Sequence, residues 1–198
     1  FNYHESEETT HYSVVDKWGN AVSVTTTVNG WYGSGIVVDG AGFLLNNEMD
    51  DFSAKQGIPN AYGLIGNTAN AIEPGKRMLS SMSPTIVEDK NGGLLLVVGS
   101  PGGSTIITTT AQIIMNVIDF RMNLENAVQA PRFHHQWLPD VIQFEEIGFS
   151  VETLNELKRR GHDVTHRLTI GEANCIQWKD GILYGSADSR KGAVAVGY

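Results

Sequence analysis

After a polar, acidic stretch over 1–8 that reads as a linker, two runs carry the patterning of strands. Thr10–Val15 carries Tyr12, Val14 and Val15, side chains suited to a pleated, half-buried surface. Asp16-Lys17-Trp18-Gly19-Asn20 then supplies turn chemistry. In 21–28, Val22, Val24, Thr26 and Val28 fall on one face and Ser23, Thr25 and Thr27 on the other. The two runs predict an antiparallel hairpin. A second strand pair is predicted at 35–38 and 43–45, around Asp39-Gly40-Ala41-Gly42. The polar run 46–52 interrupts this pattern, and 53–78 has no periodicity at all. A loop that long inside a compact domain is usually functional, often a lid.

Regular patterning resumes with a hairpin of Thr85–Glu88 and Leu94–Val98. A glycine-rich turn, Gly99-Ser100-Pro101-Gly102-Gly103-Ser104, leads into a mostly apolar helix predicted over 105–120. A short helix over 124–130 stops before Pro131, and an amphipathic helix over 151–160 is ended by Gly161. The last predicted hairpin joins 176–178 to 182–184 through Lys179-Asp180-Gly181. Strands dominate early and helices come later, which predicts an α+β fold with a sheet layer covered by helices.

Bulk properties narrow the picture. The 198 residues suffice for one domain, and 41% hydrophobic with 18% charged residues is globular composition. The net charge of −8 and the lack of a basic patch argue against a nucleic-acid role. The one dense basic cluster, Lys158-Arg159-Arg160, complements the end of its own helix. Cys175 is the only cysteine, so no internal disulfide or thiolate metal site is expected. No apolar run reaches membrane-spanning length. The amino end does not read as a signal peptide and looks like a start in mid-protein.

Four stretches carry candidate chemistry. Thr9-Thr10 opens the first strand. A threonine hydroxyl is a poor nucleophile unless its own α-amine, with a reference pKa of about 7.7–8, acts as base. Such a role requires cleavage between Glu8 and Thr9; otherwise the pair is ordinary strand threonine. Strand, glycine turn and helix start at 99–105 form either a tight turn into a buried helix or an oxyanion hole of two backbone donors. It is not a P-loop, since the Lys-Ser/Thr ending is missing. The run 46–52 is either a polar turn or a pocket wall for an ammonium group, and its spacing does not fit a calcium loop. Tyr62, in the middle of the long loop, is either a gate or a packed aromatic. His134 and His135 invite a zinc reading, but neighbours on an extended chain face opposite ways and no second ligand pair lies at metal spacing.

Taken together, five runs resemble the small subunit of the γ-glutamyltranspeptidases (glutathione hydrolases). They are Thr-Thr-His-Tyr-Ser-Val-Val-Asp at 9–16, Leu-Leu-Asn-Asn-Glu-Met-Asp-Asp-Phe at 44–52, Leu-Ser-Ser-Met-Ser-Pro-Thr-Ile at 79–86, Gly-Ser-Pro-Gly-Gly-Ser at 99–104 and Pro-Arg-Phe-His-His-Gln-Trp-Leu-Pro at 131–139. They occur in the family's order, and the likeness spans about 5–198. It implies an N-terminal nucleophile hydrolase fold, a four-layer αββα sandwich, of which this chain is the small-subunit half. It implies a precursor that cuts itself before Thr9, with 1–8 the end of the upstream segment and 9–198 the catalytic domain. Thr9 would be the nucleophile, oriented by Thr27, with Gly102 and Gly103 as the oxyanion hole. Asn29, Glu48 and Asp51 would hold the donor's α-amino group, Ser80 and Ser81 its α-carboxylate, and Tyr62 would close the pocket.

The implied reaction is γ-glutamyl transfer and hydrolysis of glutathione and related donors through a γ-glutamyl ester on Thr9. No cofactor or metal is implied. The implied partner is a large subunit from the same precursor, and the acceptors are amino acids or dipeptides. By family, the bacterial location would be periplasmic or secreted. Two alternatives on the same scaffold are a cephalosporin or glutaryl acylase and a poly-γ-glutamate depolymerase. A third, of another class, is an uncleaved and silent binding domain.

Overall fold

The computed structural model describes residues 9–60 and 62–197. The linker 1–8, and with it the Glu8 side of the expected cleavage point, lies outside the described residues. The first hairpin pairs β1 (Thr10–Val15) with β2 (Ala21–Thr26) antiparallel, Thr10 opposite Thr26 and Val15 opposite Ala21. β2 stops two residues short of the expected 28, because the chain turns at Asn29, whose φ is 75°. The strand pair expected at 35–38 and 43–45 reduces to one bridge, Val37 to Leu44. Neither segment has a buried face to reward longer pairing, since Ile36, Val37 and Phe43 are all exposed.

β3 (Thr85–Glu88) and β4 (Leu94–Val98) form the second hairpin, as expected. α1 (Thr105–Ile118) ends two residues before the expected 120; Asp119 and Phe120 both donate to the Met115 carbonyl, and Arg121 turns left-handed at φ 54°. α2 (Leu124–Gln129) is capped by the Asn123 side chain, which accepts from the Asn126 N–H. β5 (Phe133–His134), β6 (Ile142–Glu145) and β7 (Val164–Arg167) form a small sheet that the sequence reading missed. α3 (Val151–Arg159) is the crossover between the parallel strands β6 and β7, and its Ser150 cap accepts from the Thr153 N–H. β8 (Asn174–Lys179) and β9 (Ile182–Ala187) are longer than expected and complete a sheet of order β3-β4-β8-β9.

This four-stranded sheet is the middle layer. α1 and α2 cover one face, with Leu96, Val98, Ile113, Leu124, Val128 and Cys175 forming the core between them. Burial pushes the Cys175 thiol up to about 12, so it is an inert core residue. The β1–β2 hairpin lies on the other face, against β4 and β8. Here the polar face of the hairpin points inward. Ser13 Oγ donates to the Asn174 carbonyl at 2.8 Å, Ser23 Oγ donates to the Val98 carbonyl at 3.1 Å, and Asn174 Nδ2 donates back to the His11 carbonyl at 3.0 Å. The apolar face, with Tyr12, Val14 and Val22, is about half exposed and faces away from this chain. Helix, sheet and sheet are thus three stacked layers. No helix among the described residues is long and apolar enough to cross a membrane.

Candidate active site

Thr9 is buried at the head of β1. The β1–β2 register, continued by one residue, sets it across from Thr27. Thr27 Oγ1 accepts from the Asn29 N–H at 2.9 Å, which fixes the hydroxyl as the chain turns out of β2. Two residues beyond Thr9, the His11 ring is clamped between Thr25 Oγ1 at 2.8 Å and Ser13 Oγ at 3.2 Å. Burial lowers its pKa to about 4, so the ring is neutral at ordinary pH. The ring lies against Gly99: a Cβ there would sit 2.2 Å from His11 Cε1. The strand bearing Thr9 is therefore keyed to the start of the glycine turn.

That turn runs from the end of β4 into α1. Gly102 (φ 132°) and Gly103 (φ 56°) adopt backbone that side chains resist. The Thr105 and Ile106 N–H groups donate to the Gly102 and Gly103 carbonyls. Among the described residues, the Gly102 and Gly103 N–H groups donate to no protein acceptor. Two free donors at the positive end of a 14-residue helix make an anion site, in keeping with the oxyanion reading.

The acidic run forms a 3-10 turn, Glu48–Asp51. It is tied to the end of β2 by the Asn47 N–H to the Val28 carbonyl at 3.1 Å, and by the Gly30 N–H to Asn47 Oδ1 at 2.8 Å. Asn29 Nδ2 reaches the Asn47 carbonyl at 3.4 Å. Asn29, Glu48 and Asp51 thus come to one wall. Asp51 is pushed up to about 6, first by burial and then by the charges of Glu48 and Asp50; every contribution acts in the same direction. Glu48 is also raised by burial. The wall is short of positive charge, as a site for an incoming ammonium should be.

The long loop is ordered by its own bonds. Ser53 N–H donates to the Asn70 carbonyl at 2.9 Å and Asn70 Nδ2 to the Asp51 carbonyl at 2.7 Å. Gly66 passes so close that a Cβ would overlap Ser53 Oγ. Tyr62 is a packed aromatic that reaches two elements. Its hydroxyl donates to Asn29 Oδ1 at 2.5 Å, and its ring lies 3.1 Å from where a Gly103 Cβ would be. One side chain therefore bridges the acidic wall and the glycine turn. A cavity of about 580 Å³ beneath the loop is lined by Asp51 and Ser81 among others. Ser81 is half-buried there, while Ser80 is exposed and accepts from the Met82 N–H at 3.2 Å.

The histidine pair separates as the extended chain requires. His134 is buried between Thr108 Oγ1 and Gln136 Oε1, and His135 is outside, 3.0 Å from Asp140. Among the described residues, no group of three His, Cys, Asp or Glu side chains could hold a metal. His11, Asn47 and Asn174 support the site and were not singled out in the sequence. His11 could have been, since it shares the inward face of β1 with Ser13.

A threonine-headed hairpin stacked on a helix-covered sheet, beside a glycine-rich turn, is the arrangement of the N-terminal nucleophile hydrolase fold. The family model for gamma-glutamyltranspeptidase matches residues 1–198, and the chain belongs to that family. It is 56% identical over 188 residues to the glutathione hydrolase proenzyme of Escherichia coli (strain K12), covering 94% of this chain and 32% of that protein. The chain thus spans about a third of the length of that relative. A solved structure of a Helicobacter pylori gamma-glutamyltranspeptidase mutant matches with TM-score 0.86 and 58% identity, over 92% of this chain and 100% of that one. The enzyme from Pseudomonas nitroreducens complexed with L-DON matches with TM-score 0.87 and 49% identity, over 96% and 99%.

Proposed function

We propose that this chain is the catalytic small subunit of a γ-glutamyltransferase and glutathione hydrolase. It pairs with a large subunit from the same precursor, whose helices cover the apolar face of Tyr12, Val14 and Val22. The observation that carries this reading is the double contact of Tyr62, to Asn29 and to Gly103. The contact supports a site in which the Asn29 wall binds the donor's ammonium while the glycine turn meets the oxyanion.

In the precursor, Thr9 Oγ attacks the Glu8 carbonyl carbon and the chain shifts from nitrogen to oxygen. Water hydrolyses the resulting ester, giving a carboxylate on Glu8 and a free α-amine on Thr9. In turnover that amine takes the proton of the Thr9 hydroxyl as Oγ attacks the γ-carbonyl of the donor. The negative oxygen forms opposite the Gly102 and Gly103 N–H groups; losing one such donor typically lowers the rate by ~10²–10³. Collapse expels the donor's amine half, which takes the proton back. Water then releases glutamate, or an unprotonated acceptor amine takes the γ-glutamyl group. Asn29, Glu48 and Asp51 hold the donor ammonium, and Ser80 and Ser81 its carboxylate.

The test compares γ-glutamyl and glutaryl anilides on the mature enzyme. A strong preference for γ-glutamyl is expected, because a glutaryl group has no ammonium for the wall. Equal turnover, or a glutaryl preference, would move the reading to an acylase.

A further inference from the structure

Each donor of an oxyanion hole belongs to a peptide plane, and the carbonyl at the other side of that plane sets where the N–H points. The Gly102 N–H shares its plane with the Pro101 carbonyl. That carbonyl accepts from Ser100 Oγ at 2.6 Å, and Ser100 is fully buried. The Gly103 N–H shares its plane with the Gly102 carbonyl. That carbonyl accepts from Thr105 Oγ1 at 2.8 Å and from the Thr105 N–H at 3.1 Å, and Thr105 is 1% exposed. Both planes are thus gripped from behind by a buried hydroxyl.

Ser100 is itself held. The Glu172 N–H donates to Ser100 Oγ at 2.8 Å. Gly171 (φ 68°) lies so close that a Cβ would be 2.8 Å from Ser100 Oγ and 2.5 Å from Thr109 Oγ1. Gly171 is pressed against the turn with no room for a side chain. A continuous series results: Glu172 N–H, Ser100 hydroxyl, Pro101 carbonyl, Gly102 N–H. Hydrogen bonds in such a series polarise one another, by about 10–30% per bond. With two glycines in succession, the turn has little stiffness of its own.

We infer that Ser100 and Thr105 are positioning residues for the transition state: their hydroxyls orient and polarise the two peptides whose N–H groups meet the developing oxyanion. The inference rests on the proposed acyl-transfer reading. Both side chains are buried behind the turn, away from its free N–H groups. Both act through the planes of Gly102 and Gly103.

The experiment measures Thr105→Val, Thr105→Ser and Ser100→Ala in the full precursor, with rates taken per mole of cleaved enzyme. Thr105→Val keeps the shape and loses the hydroxyl, while Thr105→Ser keeps the hydroxyl. The expected result is a kcat lower by about tenfold in Thr105→Val and in Ser100→Ala, a fraction of the full loss of a donor. KM for the γ-glutamyl donor should stay within about twofold, as for an interaction made only in the transition state. Thr105→Ser should restore kcat to near the parent value. A γ-boronic analogue of glutamate, which forms a tetrahedral anionic adduct, should bind more weakly by the same factor as kcat falls. Glutamate itself should bind unchanged. If Thr105→Val does not mature, Thr105→Ser must mature and turn over. Failure of both overturns the inference, as does a parent-like kcat in Thr105→Val and Ser100→Ala, or an equal rise in KM. A parent that does not turn over γ-glutamyl donors fails the functional reading instead, which keeps the two failures distinct.

Discussion

Arg132, Glu145, Asp188 and Arg190 are at least as deeply buried as Glu48 and Asp51, yet the two groups obey opposite rules. In the first, every charge is answered. Arg132 meets Asp188 at 2.7 Å and donates to the carbonyls of Ile170 and Val128. Arg190 holds Glu145 through two nitrogens, at 2.5 and 2.6 Å, and Asp188 at 3.0 Å. Burial works against the Asp188 carboxylate, but Arg132, the Ala173 N–H and Arg190 outweigh it and keep its pKa below the usual range. In the second group, burial and like charges all push Asp51 upward. The quartet ties the β5–β7 sheet and the 188–190 segment to α2. Among the described residues Glu48 and Asp51 meet no cation; in the proposed reading the donor's ammonium supplies one. Burial of charge alone therefore does not mark a site; burial without an answering charge does.

Removing one member of the answered set should have the largest effect. Arg132→Leu strips buried Asp188 of its 2.7 Å partner and leaves it to Arg190 alone; breaking a buried pair typically costs about 3–5 kcal/mol. A large drop in melting temperature or a failure to mature is expected; an unchanged melting curve would break the comparison. Asp51→Asn should do the reverse. Donor KM should rise by roughly 10–150-fold, the equivalent of a charge-assisted hydrogen bond of about 1.5–3 kcal/mol. The melting temperature at pH 8 should not fall. A carboxyl whose folded pKa is raised costs stability wherever the unfolded chain ionises more readily, so any gain from the variant is absent below about pH 4, grows between about 4 and 6 and is complete above that. Lower stability of Asp51→Asn at pH 8 would show that the wall is structural.

The pH profile sharpens the same point. With Asp51 at about 6, donor KM should rise as pH falls through that value, and the inflection should be missing from Asp51→Asn. A flat KM from pH 5 to 8 in the parent would contradict it. The smallest effect is expected at Glu156, which faces Arg159 at 2.6 Å and Arg160 at 2.8 Å on the exposed side of α3. Those distances match the buried pairs, but water screens them, so Glu156→Gln should leave the melting midpoint unchanged.

The regular strands and helices were legible because each hides one face within this chain: β3, β4, α1 and α2 follow period and caps that local sequence sets. The pair at 35–38 and 43–45 looked similar but has nothing here to pack against, so it shrank to a bridge. β5 and β7 were not legible. A two-residue strand has no period, and Val164-Thr165-His166-Arg167 is a strand only because β6 lies beside it. The inward turn of the polar hairpin face was equally hidden, since alternation separates two faces without saying which is buried. Thr9, Glu48, Asp51, Ser80, Ser81, Gly102 and Gly103 became candidates through motifs taken in order rather than through any one of them. The hydroxyls of Ser100 and Thr105 were visible letters, but their role depends on which carbonyl each one meets.

The central claim is that Thr9 is a nucleophile freed by its own cleavage. The most direct measurement records intact mass and γ-glutamyl-anilide turnover for the precursor and for its Thr9→Ala variant. The account predicts that the parent splits before Thr9 and turns over, while the variant stays whole and inactive. A parent that remains whole, or a variant that splits and turns over like the parent, would contradict it.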